Sequence, residues 1–103
     1  MATVNITHSV ETPSGTALEG IMIRATLSGQ GFRTDDSAVA REQWFTTDDL
    51  GAVTMPLERT DQITPANLHY VIEVQLPDAY GGPELYTILA TAASSLADAR
   101  VNV

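Results

Sequence analysis

Hydrophobic and polar residues alternate with a period of two along most of this chain, the spacing that puts every second side chain of a β-strand on a buried face. Val4, Ile6, His8 and Val10 alternate with Asn5, Thr7 and Ser9 and predict a first strand. Thr12-Pro13-Ser14-Gly15 ends it, with Pro and Gly at the second and fourth positions of a type I turn. From Gly20 to Ser28, Ile21, Ile23, Ala25 and Leu27 share one face, against Met22, Arg24, Thr26 and Ser28 on the other. A glycine-rich polar loop, Ser28 to Ser37, follows. Its one aromatic, Phe32, is expected to fold back as a lid over the end of the fold, with a contact role as the alternative.

Ala38 to Thr46 predicts a third strand with no cleanly apolar face. Trp44 is its expected core anchor, and a helix over Ser37–Gln43 is the alternative, because Ala, Arg, Glu and Gln all favour one. The stretch from Trp44 to Leu57 reads as a hairpin folded around Asp48-Asp49-Leu50-Gly51, where Gly51 supplies a positive φ. Beyond that turn Val53, Met55 and Leu57 point inward, and Pro56, which cannot donate to a ladder, marks an edge or a bulge.

Glu58 to Leu68 is irregular. His69 to Leu76 is the clearest strand, with Tyr70, Ile72, Val74 and Leu76 facing one way. Pro77 to Pro83 breaks the pattern, and Leu85 to Ala90 forms the next strand. In the last segment, Ser94 to Asp98 predicts a short helical turn and Val101 to Val103 a final short strand. Six or seven short strands separated by turn signals predict an all-β protein, a small antiparallel β-sandwich of prealbumin-like or immunoglobulin-like type. It forms one domain over residues 1–103, with 91–103 an extended C-terminal tail.

Composition narrows the function. The 103 residues carry thirteen acids and five bases, for a formal net charge of -8. The bases are all arginine: Arg24, Arg33, Arg41, Arg59 and Arg100. So acidic a chain with scattered cations argues against nucleic acid and anionic membrane surfaces as partners. Cysteine is absent, which excludes disulfides and thiolate metal sites. The first residues lack the basic and apolar regions of a secretion signal, so synthesis in the cytoplasm is expected.

Chemistry is sparse. His8 and His69 stand on separate predicted strands without nearby ligands and read as satisfied or solvent-facing. Asp35-Asp36 and Asp48-Asp49 would suit Ca²⁺ only if their loops met at one end of the sandwich, and the ligand spacing of a calcium loop is missing. No nucleophile elbow, phosphate loop or dinucleotide fingerprint occurs, so a non-enzymatic protein without cofactors is expected.

Pro13-Ser14-Gly15, then Leu18 to Leu27, then Thr46-Thr47-Asp48-Asp49-Leu50-Gly51 running on to Leu57, then Tyr70-Val71-Ile72-Glu73-Val74 together form a recognisable order. It resembles the transthyretin-like or carboxypeptidase-regulatory-like β-sandwich found in virion proteins of tailed bacteriophages. Tyr86-Thr87-Ile88-Leu89 followed by Ser94 to Asp98 resembles the closing stretch of such domains. Relatives that close an internal isopeptide bond need a lysine, and this chain has none. The resemblance implies a virion structural protein, a tail or tail-fibre component present in multiple copies and bound to other virion proteins; a capsid decoration or head-fibre protein is the alternative. Expected contacts are Gln30, Phe32 and Arg33 in the first long loop, Tyr80 in the Pro-Gly loop, and Leu96, Val101 and Val103 in the tail. A third expectation is a module that stacks a host-surface glycan on Trp44, Tyr80 or Phe32.

Overall fold

The computed structural model describes residues 3–101. Among the described residues seven strands are present: β1 Thr3–Ser9, β2 Met22–Leu27, β3 Glu42–Thr46, β4 Ala52–Glu58, β5 Tyr70–Val74, β6 Glu84–Ile88 and β7 Ser94–Ser95, followed by the one-turn helix α1, Leu96–Ala99. They form two packed sheets, β4-β1-β7 and β3-β2-β5-β6. The protein is therefore a small all-β sandwich of seven strands, as the alternation predicts. One pairing departs from an antiparallel plan, since β7 runs parallel to β1 with Ile6 opposite Ser94. The order also differs from the immunoglobulin constant arrangement, which keeps its first two strands in one sheet; here β1 and β2 lie in opposite sheets.

The core is the inward side of the predicted alternation. Ile6 and Val10, Ile23, Ala25 and Leu27, Met55 and Leu57, and Tyr70, Ile72 and Val74 are all buried. Each large aliphatic among them removes enough apolar surface from water to contribute about 1.5–3 kcal/mol. Pro56 lies on β4, an edge strand, where its missing N–H is harmless.

Three expectations are corrected. Trp44 to Leu57 is not a hairpin, because β3 and β4 belong to different sheets and Asp48–Gly51 is an arch carrying the chain between them. The third strand starts at Glu42 rather than Ala38, and Trp44 is 44% exposed while Phe45 and Val39 pack inward. The segment from residue 91 is not an extended tail: β7 pairs with β1, Ser95 Oγ accepts the Asp98 N–H at 3.2 Å to cap α1, and Leu96 is fully buried. The predicted helical turn is thus present, but it belongs to the core. Val103 lies outside the described residues, as does most of the expected final strand; Val101 donates its N–H to the Thr87 carbonyl at 2.8 Å, beside β6.

Candidate functional site

The sandwich has two ends and two outer faces. At one end the loop after β2 meets the loop after β4. Phe32 and Thr64 exchange both backbone hydrogen bonds at 2.8 Å, and Val39 donates to the Gly31 carbonyl at 2.9 Å. Gln30 spends its amide on the carbonyls of Gly31 and Val39. Arg33 donates through Nε and a terminal nitrogen to Glu58 Oε1, at 2.8 and 2.7 Å, and through its other terminal nitrogen to the Ala38 carbonyl at 2.9 Å. Gln30 and Arg33, two expected contacts, are therefore tethers that hold their own loop. Phe32 is no sealing lid: its backbone stitches the two loops while its ring is 41% exposed.

Beneath Arg33, the Glu58 side chain is nearly buried, a position a carboxylate holds only with a partner. Tyr70 packs close by; burial first, and the Glu58 charge second, push its hydroxyl up to about 12. An open cleft of about 690 Å³ lies over this cluster, lined by Arg33, Asp35, Ser37, Glu58, Asp61 and Gln62 among others. Asp35 is held below the usual carboxylate range by hydrogen bonds from Ser37, and Asp61 by its contact with Arg59. These acids are committed to turns and ion pairs, and among the described residues no group of three ligands is placed to hold a metal ion.

Asp48-Asp49 sits at the opposite end, in the arch that leads into β4, so it never meets Asp35-Asp36. The shared calcium site is thereby removed. Asp48 Oδ1 instead accepts the N–H groups of Leu50 and Ala52 at 2.8 and 3.0 Å. Tyr80, 42% exposed, is at this same end and is not brought near Phe32. His8 packs edge-on to Tyr86 with ring centres 5.6 Å apart, and burial holds its imidazole below the ordinary value. Leu96 is not an accessible contact, since it is buried against β1.

What the expected contacts omit is the outer face of the four-stranded sheet. The register aligns Trp44, Arg24, Glu73 and Leu85 in one row across β3, β2, β5 and β6. Arg24 is ion-paired to Glu73 at 2.8 Å and stands 5.7 Å from the centre of the Trp44 ring. Trp44 Nε1 donates to Glu42 Oε1 at 2.7 Å. Around this ionic centre Met22, Trp44 and Leu85 are 46%, 44% and 65% exposed. An aromatic and two large apolar side chains around a held arginine is the residue mix of a protein-binding surface. The signal was available in the alternation itself: Val39 and Phe45 have the same parity, which sends Trp44 outward.

Comparison with protein-family models finds no match, and no curated protein matches the chain in sequence.

Proposed function

We propose that this protein is a non-enzymatic structural block of a bacteriophage virion, a tail or tail-fibre component that acts through protein–protein contacts. The observation that carries the contact role is the row of Trp44, Arg24, Glu73 and Leu85, whose exposed members lie on one outer sheet face with Met22 beside them. Aromatic and arginine side chains are the groups that contribute most when an interface closes over them. The virion setting rests on the resemblance of the strand-and-turn order. A capsid decoration protein would use the same face.

Glycan stacking on Trp44 gains support from the exposure of that ring, but Arg24 already stands over it and the indole N–H is spent on Glu42. Protein contact is therefore the first reading. Mass spectrometry of purified particles tests it: the chain is expected among the virion proteins, in tens of copies for a tail and hundreds for a capsid. Its absence from particles overturns the proposal.

A further inference from the structure

A sheet edge is a template for another strand unless something blunts it. Three of the four edges here are blunted. Strand β7 has two residues. Strand β6 is covered at its C-terminal end by Arg100 and Val101. On β4, the bond from Val10 N–H to the Gly51 carbonyl fixes which residues face β1. In that alternation Pro56, opposite Asn5, is one of the residues turned outward, and it has no donor to offer.

Strand β3 has no such device. Leu27 donates to the Arg41 carbonyl and Thr47 to the Ile21 carbonyl, so in this register Gln43 and Phe45 bond to β2 while Glu42, Trp44 and Thr46 turn their N–H and C=O groups to the open side. All three residues are exposed, and among the described residues β3 pairs with β2 alone. The edge contains neither proline nor glycine, and the chain has no lysine to guard it.

Charge decides what would fit. Exposed Asp48 and Asp49 stand where β3 ends, and the bond from Gly20 N–H to the Thr47 carbonyl places exposed Glu19 across the arch, on the β2 side. Arg41 stands at the other end of the strand. Arg24, Arg33 and Arg59 are held in internal ion pairs. A second copy would bring its own formal charge of -8 against the same charge. We propose that the open edge of β3 receives, by strand addition, an extended basic segment of another protein, with its basic residues set against Glu42, Asp48 and Asp49. The inference deepens the contact role proposed above by naming the kind of partner, and it rests on that role.

The probe is a synthetic peptide of alternating valine and lysine, titrated into the isotope-labelled chain and followed by amide chemical shifts. Shifts are expected at Glu42, Trp44 and Thr46, with affinity falling as salt rises; an alternating valine–glutamate peptide is expected to produce none. N-methylating alternate residues of the lysine peptide, so that its donors on one edge are gone, is expected to cost about tenfold or more in affinity when the methylated edge faces β3. Thr46→Pro removes an outward donor without touching the β2–β3 bonds and should weaken binding while the spectrum keeps its dispersion. If that variant unfolds, the methylated peptide carries the test alone. The inference is overturned by no binding, by equal binding of the glutamate peptide, by undiminished binding whichever of the two edges of the lysine peptide is methylated, by shifts confined to other strands, or by dimerisation of the chain through β3. These results are independent of the particle composition, so the partner's chemistry and the virion setting can fail separately.

Discussion

At the scale of single residues, Gly51 and Tyr70 show how much one position can decide. Gly51 has φ 72° and lies buried under the turn that follows β1, where its carbonyl accepts the Val10 N–H at 2.8 Å and a side chain would run into the Val10 carbonyl. Gly51→Val is expected to lower stability by about 1–3 kcal/mol or more from backbone strain alone, measured by urea denaturation; an unchanged midpoint would show that the arch relaxes. Tyr70 is buried with its hydroxyl neutral and its pKa raised from 10.0 to about 12. Below pH 10 the folded and unfolded chains both keep this proton. Between pH 10 and about 12 only the folded chain does, so its contribution to stability is lost as pH rises through that window. The melting temperature should fall over that range, and Tyr70→Phe should fall less steeply than the parent in the same thermal scans.

At the scale of elements, Trp44 is where alternation and composition disagreed. The sole tryptophan invites a place in the core, yet its strand has only five residues and its inward positions are Gln43 and Phe45. Trp44→Ala should therefore cost about 0.5–1 kcal/mol, against the 3–5 kcal/mol typical of deleting a buried tryptophan, and acrylamide should quench the parent's emission readily. Strong protection of the fluorescence would restore the core reading. The strands β2, β4 and β5 were legible because their apolar residues recur without interruption on one side, and β1 because His8 alone interrupts its inward row. The arch was not, because a turn such as Asp48–Gly51 reverses the chain equally well within a sheet or between two sheets. Nor was the burial of Leu96, whose neighbours in the last segment are small and polar and give no period to read. The row of Trp44, Arg24, Glu73 and Leu85 was half legible: its exposed residues follow from parity, while their alignment comes from register, which local pattern does not encode.

At the scale of the whole molecule, the fold spreads its acidic charge over both ends and leaves one side of one sheet able to take a partner. The loops that composition marks as functional are largely occupied with each other, through Phe32 and Thr64 and through Arg33 and Glu58. The recognition proposed above therefore rests on a sheet rather than on loops, with the backbone supplying the bonds and side chains choosing the guest. The arch between β3 and β4 has a further consequence, for the order of assembly. Because neighbours in sequence are sent to opposite sheets, β1 must wait for β4, some fifty residues away, and then for β7 near the end of the chain. Thr3 meets Glu58, and Ile6 meets Ser94. Little of the β1 sheet can form from local contacts, so refolding belongs to the slow class of non-local β proteins, on the order of milliseconds to seconds. On the ribosome β1 would emerge long before β4 and β7, and its apolar side would stay uncovered until both had followed.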